Sequence, residues 1–108
     1  MSYQEDFVLR LARRIGEVLA RALGVAKQGS YDESHQVLEQ GVASELGMPF
    51  HMLLRLDAAS AVRLLGRDKA AQLVEALRTR ALLFELGGRH NDSQISRDHA
   101  DTLERALS

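Results

Sequence analysis

The sequence predicts an all-α protein built from antiparallel helical hairpins, and three observations carry that prediction. Apolar residues recur at helical spacing along most of the chain, and no stretch alternates between apolar and polar residues as a strand does. Glycine-containing turns at 27–34 and 87–93 each separate two such helical stretches. The single proline and the low aromatic content of 5% also favour helices over a sheet. We therefore expect about five to six helices, arranged as a hairpin, a short two-helix insert and a second hairpin.

The composition is that of a globular protein with one domain. At 108 residues the chain can bury a single modest core. Its hydrophobic fraction of 45% and charged fraction of 27% are ordinary and argue against disorder. The formal net charge of −1 gives no overall field that would attract nucleic acid. Because the chain has no cysteine, disulfides, thiolate metal sites and cysteine nucleophiles are excluded.

The N-terminal residues do not have the features of a secretory signal. Acidic residues precede the first apolar ones, and there is neither a basic leading region nor a cleavage site. No apolar run approaches the ~20 residues that a membrane span needs. We expect a cytoplasmic protein without a membrane span.

The first hairpin is predicted over residues 3–46, and its first helix is strongly apolar. Ser2 and Glu5 have the spacing of a capping box, and apolar residues follow at helical spacing over 7–26. We expect this helix to be mostly buried, with a basic ridge on its outer face that only Glu17 interrupts. The arginine ridge consists of Arg10, Arg13, Arg14 and Arg21.

The turn between the first two helices has several local signals. Gly29 follows the last helical turn, where glycine commonly ends a helix. Ser30 is expected to cap the next helix, with Glu33 at the capping-box position. Within that second helix, the small residues Ser34 and Gly41 would let another helix approach closely.

Residues 48–66 are predicted to form an insert of two short helices. Pro49 suits the first turn of one, because its missing N–H would be unpaired there, and Asp57 suits the N-cap of the other. The insert begins with an apolar stretch that could form a groove for a partner helix, although such a run is more often core. Its apolar residues are Met48, Phe50, Met52, Leu53 and Leu54.

The second hairpin is predicted over residues 68–107. Asp68 is expected to cap its first helix, and Asn91 with Gln94 resembles a weak capping box for its second. Three leucines lie off the main apolar stripe of the first helix, so we expect them to be covered by a second copy of the chain in a homodimer. The alternative is that the insert 48–66 folds back and covers this surface within one chain. These self-association residues are Leu82, Leu83 and Leu86.

The two turns match when the chain is shifted by 88 − 29 = 59 residues, which places Gly29 on Gly88 and Ser34 on Ser93. The stretch KQGSYDES at 27–34 resembles the turn of the tetratricopeptide repeat (TPR): glycine, any residue, tyrosine, two polar residues, then alanine. The second unit departs from that pattern, with His90 in place of the tyrosine. The offset also exceeds the TPR period of about 34 residues. The resemblance implies a TPR-like helical fold in a small bacterial family of unknown function.

Two sets of polar residues could hold a metal or act in hydrolysis. His35 and Glu39 lie four residues apart on a predicted helix, a spacing that suits two metal ligands but equally suits an ordinary surface pair. The second set lies near the last helix, matches no ligand motif, and is expected to be ordinary polar surface. Its members are His90, Asp92, Asp98, His99 and Asp101. We assign no catalytic, cofactor-binding or metal-binding residue.

These observations favour a non-enzymatic adaptor that binds a protein partner through the surface of a helical repeat. The alternative is a small regulatory module that binds nucleic acid or another anionic ligand through the arginine ridge. Salt distinguishes the two, because phosphate-driven binding weakens steeply with ionic strength and binding in an apolar groove does not. An enzyme is not expected, because no nucleophile can be paired with a base.

Overall fold

A computed structural model describes residues 3–108, with side chains described from Asp6 onward. In this range the chain is all-helical, and no strand occurs. The helices are α1 (Tyr3–Lys27), α2 (Tyr31–Leu46), α3 (Phe50–Leu53), α4 (Ala58–Leu65), α5 (Arg67–Leu86) and α6 (His90–Leu107). The predicted all-α architecture of helical hairpins with a two-helix insert is therefore confirmed. Ser2, the first member of the capping box expected at the N-terminus, lies outside the described residues.

The two hairpins pack against each other through α5. Helix α1 pairs with α2 and α5 pairs with α6, while α5 also contacts both helices of the first hairpin. Of the insert helices, α3 packs on α2, and α4 packs on α5 and α6. Every helix contributes to one core, because each places apolar side chains toward α5 or α2. Its most fully buried large side chains are Ile15, Leu38, Leu53, Leu73, Leu77, Leu83 and Leu103.

Helix α1 is less buried than the sequence suggested, and the prediction that most of it would be covered is wrong. Leu11, Ile15 and Val18 are buried, but Phe7 and Leu9 are 41% and 53% exposed. The exposed outer face also contains small residues, namely Gly16, Ala20 and Gly24. The reason is that α1 packs substantially only on α2 and α5, so the face turned away from them has no covering element within residues 3–108.

The two interhelical turns have the same conformation, as the 59-residue repeat suggested. Gly29 has a φ of 89° and Gly88 one of 76°, both in the left-handed region that favours glycine. The residues that follow, Ser30 and Arg89, have nearly identical backbone angles (φ −94°, ψ 71° and φ −98°, ψ 73°). Two equivalent backbone hydrogen bonds close each turn. In the first turn the Ser30 N–H donates to the Val25 carbonyl, and the Ser34 N–H donates to the Ser30 carbonyl. In the second turn the Arg89 N–H donates to the Phe84 carbonyl, and the Ser93 N–H donates to the Arg89 carbonyl.

The expected helix caps are only partly correct. Asp57 caps α4, because its Oδ1 accepts a hydrogen bond from the Ser60 N–H at 2.8 Å. Ser30 occupies the N-cap position of α2 but its hydroxyl makes no cap hydrogen bond, so the capping box expected there does not form. Its ψ of 71° lies well outside the extended values that capping serines adopt. Pro49 is placed just before α3, at its N-cap position.

The caps expected in the second hairpin are wrong. Helix α5 begins at Arg67 after Gly66, so Asp68 lies inside the first turn and not at the cap. An acidic residue there still interacts favourably with the helix dipole. Helix α6 begins at His90, which places Asn91 inside the helix, and no side chain caps it. In both cases the helix extends further toward its N-terminus than the polar residue that was expected to start it.

The insert contributes to the core, as the apolar stretch at its start predicted. Phe50 and Leu53 are 5% and 0% exposed, whereas Met52 is 47% exposed. Met48 and Leu54 are half-buried and pack against the same core. The first insert helix therefore covers the end of α2, and offers little free apolar surface for a partner helix.

The self-association prediction fails for one of its three leucines. Leu83 is 0% exposed within this single chain, because it points into the core shared by the hairpins, so it cannot meet a second subunit. Leu82 and Leu86 are 51% and 46% exposed, and only these two remain available at that surface. None of the helices between Tyr3 and Ser108 is long and apolar enough to cross a membrane.

Candidate functional site

An open groove of about 450 Å³ lies where α2, α5 and the start of α6 meet. Both hairpins contribute to it, so it forms only when the whole fold is assembled. We call it the α2–α5 groove. It is lined by Asp32, His35, Gln36, Glu39, Arg80, Phe84, Arg89 and Asp92.

Arg80 lies at the centre of this groove and is held by aromatic rings. Its guanidinium carbon is 4.7 Å from the centre of the Phe84 ring and 5.8 Å from that of Phe50. Contacts of this kind are attractive because the ring face is electron-rich. Burial lowers the pKa of the Arg80 guanidinium, which nevertheless keeps its charge at neutral pH. The stacked side chain therefore presents a fixed, partly desolvated positive charge.

Arg80 lacks a partner for that charge among the described residues. No carboxylate oxygen of residues 6–108 lies within 4.0 Å of it, and its buried Nε has no hydrogen-bond partner among them. Arg78, two residues earlier on the same helix, is bonded to Asp101 at 3.0 Å and to Glu104. Buried polar groups are normally hydrogen-bonded, so a buried guanidinium Nε without a partner is unusual. An anionic group supplied by a ligand would complete its hydrogen bonding.

Two histidines lie close to Arg80. The His35 ring on α2 is 4.4 Å, centre to centre, from the ring of Phe84. Burial lowers the pKa of His35, and the charges of Arg80 and Arg89 lower it further. Burial also lowers the pKa of His99, with a smaller contribution from Arg80. Both imidazoles are therefore neutral at physiological pH, and leave the guanidinium groups as the positive charges of this region.

The rim of the groove is acidic, through Asp32, Glu39 and Asp92. Asp92 is already paired, because its Oδ2 lies 2.7 Å from an Nη of Arg89. Arg89 in turn contacts the same Phe84 ring as Arg80 does, with its guanidinium carbon 5.1 Å from the ring centre. Asp32 and Glu39 have no ion pair within 4.0 Å in the described part of the chain. The groove thus combines one unpaired positive charge with two unpaired negative charges.

The polar residues considered as metal ligands or hydrolytic groups are dispersed. His90 Nδ1 lies 2.8 Å from Glu85, and Asp98 accepts a hydrogen bond from the Gln94 amide at 2.8 Å. Asp101 is paired with Arg78, and His99 is half-buried. His35 and Glu39 both line the groove, but between Asp6 and Ser108 no three metal-ligating side chains converge.

The arginine ridge lies apart from the groove. Its four members are exposed on α1, and none of them lines the α2–α5 groove. Arg10 and Arg13 border a separate depression of about 380 Å³, together with Leu9 and Asp6. Arg10 Nε donates a hydrogen bond to the Asp6 carbonyl at 3.3 Å. The ridge is thus a solvated helix face with an acidic residue beside it.

Sequence reasoning missed Arg80 and Arg89 as site residues. A signal for Arg80 was present: Leu73, Leu77, Arg80 and Phe84 follow each other at spacings of four, three and four residues. The positive charge therefore occupies a position on an otherwise apolar helix face, where an ordinary surface arginine would not be placed. Arg89 gave no such signal, because it follows two glycines in a turn.

Comparison with known proteins gives no relative from which a role could be transferred. The chain matches no protein-family model, no curated protein and no solved structure.

Proposed function

We propose that this chain is a non-enzymatic protein-interaction module that binds its partner in the α2–α5 groove. The observation that supports the proposal most is the state of Arg80, a guanidinium held against two aromatic rings without an anionic partner in residues 6–108. Arginine next to aromatic residues is typical of the energetically dominant positions of protein interfaces. A partner that supplies the missing anion would gain from a charge whose orientation is already fixed.

The charge distribution favours a protein partner over nucleic acid. A polyanion entering the groove would meet Asp32 and Glu39 as well as Arg80, and like charges brought together are repelled. Binding through the arginine ridge remains the alternative function. It is less favoured because Glu17 interrupts the ridge and Asp6 lies beside it, which reduces the local positive potential.

A helical-repeat architecture is consistent with this role. The two hairpins share one turn geometry at a 59-residue offset, which supports the TPR-like character that the stretch 27–34 suggests. Repeats of this kind function through extended surfaces formed by stacked helices. We further propose that the module works in the cytoplasm.

We also propose that the chain forms a homodimer through Leu82 and Leu86. These side chains lie one helical turn apart on α5 and are each about half exposed. Leucines at this spacing form a continuous apolar strip, which a two-fold axis could bury against itself. This surface is distinct from the groove, so a dimer would leave the groove free for a partner.

Affinity capture from cells of the source organism tests the interaction, using wild-type and variant proteins as bait. Arg80→Gln removes the central charge, and Gln36→Glu adds a negative charge to the groove from an exposed position that the fold does not depend on. Arg13→Gln is the matched control, since it removes one positive charge from the arginine ridge. We expect the same partner to be lost with both groove variants and retained with the control. Loss with Arg13→Gln alone, and steep weakening by salt, would instead support the ridge.

A further inference from the structure

Helices α1 and α5 lie side by side and run in the same direction. Each ends at one of the two equivalent turns, and the turns adjoin, because Tyr31 Cγ lies 3.5 Å from the Cβ that Gly87 would carry. The 59-residue offset between the turns therefore places Asp68 near the level of Leu9, and Leu86 near the level of Lys27 (68 − 59 = 9 and 86 − 59 = 27). These two levels are about 27 Å apart, since each helical residue rises about 1.5 Å.

The side of α1 that borders α5 carries an exposed stripe. Val18 faces α2 at Gly41, so Leu19, the next residue round the helix, faces α5. The stripe lies beyond Leu19, and its members follow each other at spacings of seven, four, three and four residues, which keeps them on one face. They are Leu9, Gly16, Ala20, Leu23 and Lys27. Leu9 is 53% exposed, and a Cβ added to Gly16 would meet no atom of another described helix within 4 Å.

Helix α5 contributes the adjoining half of this surface. Its side toward α2 carries Arg80 and Phe84, and its side toward α6 carries Arg78. Helix α1 therefore packs on the remaining buried side, that of Leu83. Four exposed residues next to that side continue the surface of the α1 stripe, namely Asp68, Glu75, Leu82 and Leu86. We call the α1 stripe and these four residues the α1–α5 face.

The two ends of the α1–α5 face complement each other. One end carries Leu9 and the negative charge of Asp68, and the other carries Leu86 and the positive charge of Lys27. Neither Asp68 nor Lys27 has an ion-pair partner within 4.0 Å among residues 6–108. Small residues occupy the middle of the α1 stripe, where they let another helix approach closely.

Building on the proposed homodimer, we propose that a second copy of the chain packs antiparallel on the α1–α5 face. The two-fold axis passes between α1 and α5, so α1 of each copy lies across α5 of the other in the reverse direction. Leu9 then packs on Leu82 and Leu86 of the second copy, and Lys27 pairs with Asp68 of the second copy. Each of these contacts forms twice.

The order of the groups along the face favours this arrangement over a parallel one. A parallel dimer would place Leu9 of one copy on Asp68 of the other, and Lys27 on Leu86, so that each charge would lose water to an apolar side chain. The antiparallel dimer matches apolar groups with apolar groups and each cation with an anion. Glu75 lies opposite the small residues of the second copy, which leave its long side chain room to reach solvent.

Charge reversal tests the pairing of Lys27 with Asp68. Lys27→Asp or Asp68→Lys alone brings like charges together twice in each dimer, and should weaken dimerisation about tenfold in analytical ultracentrifugation. The double variant restores both pairs and should dimerise about as well as wild type. Arg21→Asp is the matched control, since it reverses an exposed charge of α1 outside the face, and it should have no effect. Circular dichroism checks that each variant is folded.

Cysteine cross-linking tests which residues meet, because the chain has no cysteine of its own. The Leu9→Cys and Leu86→Cys proteins are mixed and oxidised, and each is also oxidised alone. We expect disulfides between the unlike proteins and few between two copies of Leu86→Cys. Ser44→Cys, at an exposed position of α2, is the control and should cross-link with neither.

The outcomes separate this arrangement from the homodimer itself. Cross-links between two Leu86→Cys copies, with none to Leu9→Cys, would show that the leucine pairs meet each other and would overturn the inference. It would also be overturned if charge reversal had no effect while changing Leu82 and Leu86 to Glu still dissociated the dimer, and the homodimer would then stand. A wild-type protein that stays monomeric would contradict both, and would leave partner binding in the α2–α5 groove untouched.

Discussion

Gly41 of α2 lies so close to Val18 of α1 that no side chain could stand between them. A Cβ atom placed on Gly41 would come within 2.7 Å of Val18 Cγ2, well inside the distances that real Cβ atoms keep. Helices α1 and α2 therefore cross with backbone against side chain at this point. The expectation that Gly41 permits close helix approach is confirmed, and the contact fixes how the first hairpin closes beneath the groove.

The first prediction concerns this crossing. Gly41→Ala should destabilise the protein by about 1–3 kcal/mol, because the added methyl group overpacks the interface with Val18. The matched control is Gly24→Ala on α1, where no atom lies within 4 Å of the new Cβ. That variant should gain up to about 1 kcal/mol from helix propensity. Urea denaturation measures both.

A second substitution tests the cause of the loss. Val18→Ala removes the methyl groups that the new Cβ would meet, so it should recover part of the stability of Gly41→Ala. Equal stability of the Gly41→Ala and Gly24→Ala variants would show that α1 and α2 leave room for a methyl group between Gly41 and Val18.

The second prediction concerns the two turns. Gly29→Val and Gly88→Val should each cost more than about 1 kcal/mol, because a β-branched residue is strained at the positive φ of both positions. Ser30→Ala should change the free energy of unfolding by less than about 0.5 kcal/mol, since the Ser30 hydroxyl makes no cap hydrogen bond. A large loss with Ser30→Ala, or none with the glycine variants, would contradict the turn geometry.

The third prediction is a dependence of stability on pH. Burial, more than the nearby Arg80, lowers the pKa of His35 and His99 below 6.5 in the folded protein. The unfolded chain therefore binds protons at a higher pH than the folded chain does. The free energy of unfolding should then fall as pH drops through 6.5 toward the lower folded values, and be insensitive to these groups above that range.

Urea denaturation at pH 7.5, 6.5 and 5.5 measures this effect, with each pH held at the same ionic strength. In the double variant His35→Gln, His99→Gln the decline should be shallower than in wild type, because two groups with shifted pKa values are gone. If the free energy of unfolding depended on pH in the double variant as it does in wild type, the proposed pKa shifts of the two histidines would be contradicted.

The fourth prediction concerns self-association. The chain has a mass of 12.0 kDa, so a dimer would give 2 × 12.0 = 24.0 kDa by light scattering after gel filtration. We expect the dimer mass at micromolar concentration, and the monomer mass when Leu82 and Leu86 are both changed to Glu. Both side chains are about half exposed, so the variant should remain folded. A wild-type mass near 12.0 kDa would show that the protein is a monomer and that Leu82 and Leu86 form no dimer interface.

Local features of this fold could be predicted from sequence because their signals are local. Gly29, which follows a helical stretch, determines a turn by its own backbone conformation. Asp57, three residues before Ser60, determines a helix cap by its own hydrogen bond. Ser30 has the same kind of signal, yet its backbone angle prevents the bond. That angle is set by the preceding glycine turn, which repeats at Arg89 with no capping side chain at all.

The extent of burial and the candidate site depend on how the helices pack against each other. The sequence of a single helix does not contain that information. Helix α1 carries apolar residues on several faces, but only the side toward α2 and α5 is covered. The groove brings Arg80 next to His35, 45 residues earlier in the chain (80 − 35 = 45). The odd position of Arg80 in an apolar stripe was visible, while its lack of an ion pair among residues 6–108 could only be seen in three dimensions.

Site-specific photocrosslinking in cells of the source organism tests most directly whether the groove is a protein-binding site. A photoreactive residue in place of Gln36 lies in the groove, and one in place of Glu17 lies on the exposed face of α1 away from it. We expect a discrete adduct with another protein from position 36 and none from position 17, and the adduct should disappear when Arg80→Gln is added. Adducts that form equally at both positions, or that persist without Arg80, would contradict the account.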